Sequence, residues 1–419
     1  VFVSIDNTPR DYAWGSRSAI AEYLGREASG GPEAELWLGA HPGSPAKVTG
    51  ADPETAPDLV ALIAQDPAAV LGERIAALGP RLPFLLKVLA ADAPLSLQAH
   101  PTPEQARAGY ARENADGIPL DGWNRNYKDE FHKPELIVAV SDRFDALCGF
   151  RSPEEIEALT LLLAEADVAA TRAEGGQQGA IDLLRGRLQG PDGLRSTVEW
   201  LLRDGRGGDT GQVAWIVERV AHLSGSDAAL ASPHAAAYAT VTDLARHYPG
   251  DPGLVISLFL NRVTLRRGEA LYLPAGNIHA YLQGLGIELM AASDNVLRGG
   301  LTPKHIDVDE LVDVLDFRPL PVPFLAPIET MPGVSTYRPD VDDFELHRVD
   351  VGPGAATVAI TGPAIVLSVA GTLHVSGAVS DTDVPAGGAA FATPDEAELT
   401  FTGTGVAWVA TTGSGYARD

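Results

Sequence analysis

An interruption constrains this chain more than any single motif. Short runs of β type occupy residues 1–150 (VFVSI, AELWLGA, FLLKVL, LSLQA, ELIVAV), with turn signals between them and some helix near 58–76. At Arg151 the pattern changes. Ser152-Pro153-Glu154-Glu155 reads as a helix opening, with serine as N-cap, proline in the first turn and acids facing the positive end of the dipole. Amphipathic segments follow at about 153–170, 180–204, 211–224 and 232–247, separated by Gly-rich breaks, until HYPGDPG closes the block. β-type patterning then returns in LVISLFLNRVTL and RRGEALYLPAGNIHAYL, so a strand region brackets a helical insertion. A short helix is expected at 303–315, and the proline-rich stretch 317–332 reads as a connection. Residues 333–419, rich in Val, Thr, Ala and Gly, read as an all-β domain.

With 419 residues, 45% hydrophobic and 21% charged, two or three globular domains are expected. Apolar stretches such as LPFLLKVLAADAPLSL are broken by charge or proline before the roughly 20 residues that a membrane helix requires, so no membrane partner is expected. A net charge of −25 without a basic run argues against nucleic acid as a partner. Cys148 is the only cysteine, which excludes intrachain disulfides and thiolate clusters and fits a reducing cytoplasm. Any metal site must then use imidazole, carboxylate or amide ligands. The basic residues are uneven, because only five are lysines, at 47, 87, 128, 133 and 304, against 26 arginines. A lysine kept in such a background points to a place that needs a compact ammonium.

Gly268, Pro274, Gly276 and His279 are spaced similarly to the second signature of the cupin jelly roll. Gly268 would turn one strand into the next, Pro274 and Gly276 would form a tight connection, and His279 would be aimed into the barrel mouth. By itself such a histidine beside an apolar strand is more often a hydrogen-bonded core residue than a ligand. In SLQAHP, Gln98 and His100 are two apart on a strand-like run, share a face and can bind one ion together. A polar strand end before Pro101 explains them too. In YKDEFHKPELIVAV, Glu135 opens an apolar strand, where a carboxylate needs a cation or several donors. Together Gln98, His100, Glu135 and His279 offer a nitrogen and oxygen set suited to Zn²⁺. His41, His132 and His305 compete for a place, although the odd spacing of His132 from Glu135 puts it on the opposite face of an extended segment.

Longer blocks carry more information. NTPRDYAWGS, PEAELWLGAHP, SLQAHP, YKDEFHKPE and HAYLQGLGIELMAASDNVLRGGLTPK (279–304) resemble the type I phosphomannose isomerases, zinc-dependent cupin enzymes, over almost the whole chain. The resemblance implies a mainly β fold of two cupin-type jelly rolls plus an α-helical domain. Residues 1–150 and 251–320 would form the catalytic cupin domain, 151–250 the helical insertion, and 321–419 a C-terminal cupin-like domain. It also implies that Gln98, His100, Glu135 and His279 bind one zinc ion per chain. VPAGGAAF (384–391) echoes LPAGNIHA (273–280) with Ala390 in place of His279, so the C-terminal copy is expected to bind no metal. Two positions depart from the family pattern, which usually has Asn where Phe131 stands and Ala where Gly299 stands.

The implied reaction interconverts mannose 6-phosphate and fructose 6-phosphate through a metal-stabilised enediolate. Arg298 and Lys304, on either side of Gly299-Gly300, are the expected contacts to the phosphate or the developing oxyanion, with Lys87 and Ser96 as further substrate contacts. The base stays open among Glu288, Lys133, His100 and a zinc-bound water. Tyr281 shares a face with His279 and can bond substrate or base, while Trp14 and Trp37 read as core or pocket wall. Three of the five lysines fall in this pocket, which accounts for their retention. The chain is expected to act as a monomer on a small sugar phosphate. A non-catalytic cupin that senses metal or sugar phosphate, and an isomerase of another aldose, are the alternatives.

Overall fold

The computed structural model describes residues 1–49, 56–175, 177–204 and 211–413; the Gly-rich break expected after residue 204 falls largely outside them. Among these residues two antiparallel sheets of nine and ten strands carry the chain, with a helical block inserted into the first between Phe144–Phe150 and Leu260–Leu265. The first sheet is organised by the long strand His279–Ala291. Its second half pairs with Phe84–Ala91 on one side and Glu135–Ala139 on the other. Its first half pairs with Phe144–Phe150 and, through His279 opposite Gln98, with Leu97–Ala99. A register shift between Tyr281 and Gln283, followed by Gly284 at φ 131°, bends the strand from one set of partners to the other. Outer strands complete the wall: Glu35–Leu38 beside Phe84–Ala91, Ala270–Leu273 beside Glu135–Ala139, and Leu297–Gly300 beside Leu97–Ala99.

In the second sheet Ala364–Ser376 and Glu398–Thr411 form the central pair. Phe2–Asp6 also belongs here, paired with Ala389–Ala392, and it carries Lys47–Val48 on its other edge. This differs from an assignment of all of residues 1–150 to the first sheet. The reason is physical: Ile5 packs in a cluster with Leu367, Phe391 and Trp408, and its strand covers what would otherwise be an open edge. Alternation in VFVSI marks a strand without saying which edge it completes. The same cluster includes Leu86 and Leu289, so the two sheets share a core. Ala390, at the position equivalent to His279 in the echo, sits in an apolar cluster with Val366 and Val409.

The helical block opens as expected. Ser152 Oγ accepts from the Glu155 amide, Glu155 accepts from the Ser152 amide, and the helix Pro153–Glu174 follows. The segment expected at 180–204 is two helices, Ala180–Arg187 and Gly193–Asp204, parted at Gly190-Pro191. Gln212–Ser224 and Ala235–His247 complete the amphipathic set. The run at 254–260 is not the strand its β-branched residues suggested: Gly253–Phe259 is a helix with every residue buried, and strand begins at Leu260. A segment buried on all sides shows no period, so its sequence could not separate the two forms. Pro103–Ala115 is a further helix, opened by a Thr102–Gln105 capping box. Val308–Val314, capped by Asp307, lies within the helix expected at 303–315.

Candidate metal centre and substrate cavity

The Pro274–Gly276 turn determines where His279 points. Gly276 has φ 78°, donates its amide to the His100 carbonyl at 2.9 Å, and accepts from Asp316 N at 2.9 Å. An added Cβ would lie 3.0 Å from the Val314 carbonyl, so the turn requires glycine for space as well as for φ. It thereby ties the segment before His279 to the segment after Gln98.

His100, Glu135 and His279 converge in the interior, none more than 2% exposed. Their ligating atoms lie within 4.8 Å of one another. His100 Nε2 is 3.3 Å from Glu135 Oε1, and His279 Nε2 is 3.1 Å from Glu135 Oε2. Each imidazole is fixed from behind by a backbone carbonyl, His100 Nδ1 by Asn295 at 2.7 Å and His279 Nδ1 by Asn277 at 3.0 Å. A carbonyl only accepts, so each Nδ1 must donate, and in the neutral ring Nε2 presents a lone pair. Burial lowers His100 to about 4, which keeps it neutral at pH 7, and its buried Nε2 has no hydrogen bond. Burial opposes the Glu135 charge, but the Lys133 ammonium, whose Nζ is 3.3 Å away, helps hold that carboxyl well below its ordinary range. An unpartnered lone pair turned toward a buried carboxylate is an arrangement that a cation completes. Gln98, opposite His279 in register, lines the adjoining cavity.

That cavity, about 370 Å³, is lined by the other residues singled out in the sequence: Lys87, Ser96, Lys133, Tyr281, Glu288, Arg298 and Lys304, with Trp14 and Trp37 as walls. Lys87 is deep in it, 3.0 Å from Glu288 and 3.6 Å from Glu35. Burial works against its charge, but Glu288, Glu35 and Glu135 hold the ammonium above its ordinary value. Burial raises the Glu288 carboxyl despite Lys87. Tyr281 is raised well above 10, first by burial and then by Glu288, and its buried hydroxyl makes no hydrogen bond of proper geometry. Burial also lowers Arg298 and Lys304, and Arg298 lowers Lys304 further. Among the described residues no carboxylate is ion-paired with Arg298. Two neighbouring cations that line one cavity form an anion-binding surface.

The competing histidines lie elsewhere. His132 Nε2 is 2.8 Å from Asp343, His41 Nε2 is 2.9 Å from Asp294, and His305 packs edge-on against Trp123. Of the departures, Phe131 stacks under Arg81 and meets the site through its carbonyl, which accepts from Asn295 Nδ2 at 2.8 Å. Any residue supplies that carbonyl. At Gly299 an added Cβ would come within 3.1 Å of Ile278 Cδ1, so alanine would need a small shift there.

Residues 2–153 match the profile described as phosphomannose isomerase type I, catalytic domain. The mannose-6-phosphate isomerase of Escherichia coli K12 is 38% identical over 405 residues, spanning 95% of this chain and 96% of that one. The chain belongs to the type I phosphomannose isomerase family. The relationship reaches far, since the Homo sapiens mannose-6-phosphate isomerase is 32% identical over 407 residues, covering 90% of this chain and 89% of its own. A crystal structure of zinc-bound mannose 6-phosphate isomerase superposes with a TM-score of 0.83 at 34% identity over 98% of this chain and 99% of that one. A variant of the Salmonella typhimurium phosphomannose isomerase gives 0.85 at 33% identity over the same shares.

Sequence reasoning missed Glu35 and Asn295. Glu35 accepts from Trp37 Nε1 at 2.8 Å and faces Lys87. Its signal was present, since in AELWLGA a carboxylate two residues from Trp37 must share its face. Asn295 acts through its carbonyl on His100 while its amide side chain ties the 129–131 backbone, contacts that no local pattern announces.

Proposed function

We propose that this cavity interconverts mannose 6-phosphate and fructose 6-phosphate by moving a proton between C1 and C2 through an enediolate, with Gln98, His100, Glu135 and His279 holding one zinc ion. The observation that carries the reading is the convergence of two neutral-capable imidazoles on a buried carboxylate beside a cavity that Arg298 and Lys304 also line. Zinc there supplies Lewis acidity toward substrate carbonyl and hydroxyl oxygens. Glu288 is assigned as the base: it lines the cavity, and burial brings its affinity for a proton closer to neutrality, where proton exchange is efficient. In the aldose-to-ketose direction its carboxylate takes the C2 proton and returns one to C1, while the O2 proton passes to O1. Lys87 keeps Glu288 ionised before the transfer, and Tyr281, neutral at any working pH, offers a hydroxyl to the oxygens. Lys133 holds Glu135 in place. His100 is not the base, since Nδ1 is committed to Asn295 and Nε2 to the metal set. Arg298 and Lys304 receive the phosphate, with Ser96 along the wall.

The two sheets are read as cupin-type jelly rolls, the catalytic one from 1–150 and 251–320 apart from the strands at 2–6 and 47–48, the other from 321–419 without a metal site, with 151–250 as the helical insertion. A working monomer is the accompanying reading, and a lone buried cysteine fits the cytoplasm. The test is turnover of mannose 6-phosphate by the purified chain with and without a chelator. Chelator-sensitive isomerisation is expected; zinc-loaded protein without turnover would leave a metal- or sugar-phosphate-binding module instead.

A further inference from the structure

Leu301, in the GGLTPK segment, has φ 55° and is 1% exposed. A side chain with a Cβ rarely adopts that left-handed backbone, and such strain persists only where surrounding structure dictates it. Residues 301–304 all line the substrate cavity, so the strained residue sets the path of the chain that delivers Lys304. The contacts that fix it come from across the fold. Asp251 Oδ1 accepts from Leu301 N at 2.8 Å and from Gly253 N at 2.7 Å, and Asp251 Oδ2 accepts from Thr302 N at 3.3 Å. The two backbones meet directly, because a Cβ on Gly253 would stand 2.8 Å from Leu301 N. Asp251 belongs to the HYPGDPG turn, whose Tyr248 also lines the cavity and donates its hydroxyl to the Pro94 carbonyl at 2.6 Å.

We infer that Asp251, outside the catalytic group, is a positioning residue for substrate phosphate: its carboxylate pins Leu301 at positive φ so that Lys304, together with Arg298, faces the anion. This rests on the reading of Arg298 and Lys304 as the phosphate contacts. The turn joining the helical block to the barrel would thus set affinity for the phosphorylated end of the substrate and leave the proton transfer to others.

The test uses the zinc-loaded full chain, with KM and kcat for mannose 6-phosphate and inhibition by inorganic phosphate measured together. Asp251→Ala removes the bonds to Leu301, Thr302 and Gly253 and is expected to raise KM and the phosphate inhibition constant in parallel by about tenfold, with zinc content retained and kcat within about threefold. Asp251→Asn keeps an oxygen for Leu301 and Gly253 but turns an amide toward Thr302, and a parallel rise of about threefold is expected. Should the alanine variant not fold, the asparagine variant decides. Unchanged phosphate inhibition in either folded variant, or a fall in kcat at constant KM, overturns the inference. Lys304→Ala separates the two levels: if it too leaves phosphate inhibition unchanged, the phosphate contacts themselves are misassigned. If it weakens phosphate while the Asp251 variants do not, only the positioning role fails.

Discussion

Replacing Lys87 by methionine removes a charge while nearly keeping the length of the side chain, and it strands two carboxylates. At an effective dielectric of 20, the ammonium attracts Glu288 at 3.0 Å by about 5.5 kcal/mol and Glu35 at 3.6 Å by about 4.6 kcal/mol. The full loss is not realised, because a stranded carboxyl can take up a proton. Protonating a glutamate of ordinary value 4.5 at pH 7 costs about 3.4 kcal/mol, which caps what Glu288 can contribute, and burial makes the protonation easier still. Glu35 keeps its bond from Trp37, so a total destabilisation of about 3 kcal/mol is expected at pH 7. At pH 5 the same cap is only about 0.7 kcal/mol. The sign follows from linkage. In the variant Glu288 has a raised folded value, so its stability contribution is full below the unfolded value and is lost as pH rises. The contribution of Lys87 itself in the unmodified chain, whose folded value lies above the ordinary 10.5, is lost only in strong alkali and leaves this window untouched. Urea unfolding of zinc-loaded protein at pH 7 and pH 5 measures the difference. A destabilisation that is the same at both pH values, or greater at pH 5, would refute the ion-pair reasoning and assign the loss to packing against Trp37.

His279→Ala should abolish both zinc binding and turnover, read by metal analysis alongside the isomerase assay; retained stoichiometric zinc would contradict its place in the ligand set. Glu288→Gln keeps the volume and an oxygen for Lys87 but not the base, and kcat should fall by about 10²–10⁴ with zinc retained. In the unmodified enzyme kcat/KM should rise with pH as Glu288 ionises, at a pH above the ordinary carboxylate range, and a profile without that limb would assign the base elsewhere. Asp145, bonded by Arg262, Thr264 and Arg143 against the penalty of its burial, has a value depressed below 3.8. Its contribution is present above the unfolded value and lost as pH falls, so Asp145→Asn should cost about 2 kcal/mol at pH 7, a gap that narrows below pH 3.8 in urea titrations.

Much of the site was legible because strand alternation is a strict rule. Gln98 and His100 share a face at spacing two, as do His279 and Tyr281, and the Pro274–Gly276 turn announces a residue delivered from a strand connection. The helix opening at Ser152 was equally plain, since a capping box is a local contract between a side chain and amides three residues on. Other features carried no local signal. The helix Gly253–Phe259 is buried on every side and therefore aperiodic, and the edge taken by Phe2–Asp6 depends on a partner almost 390 residues away.

Local chemistry thus set which side chains could be neighbours along each strand and where the helical block begins. Which strands meet emerged only from the packed fold, and hence that Lys87 is matched by Glu288 and Glu35, that carbonyls of Asn295 and Asn277 set the two imidazoles, and that Asp251 holds Leu301 in a left-handed turn. The division is physical: face and capping follow from bond geometry within a few residues, whereas the charge state of a buried group and the strain of a backbone depend on everything packed around it.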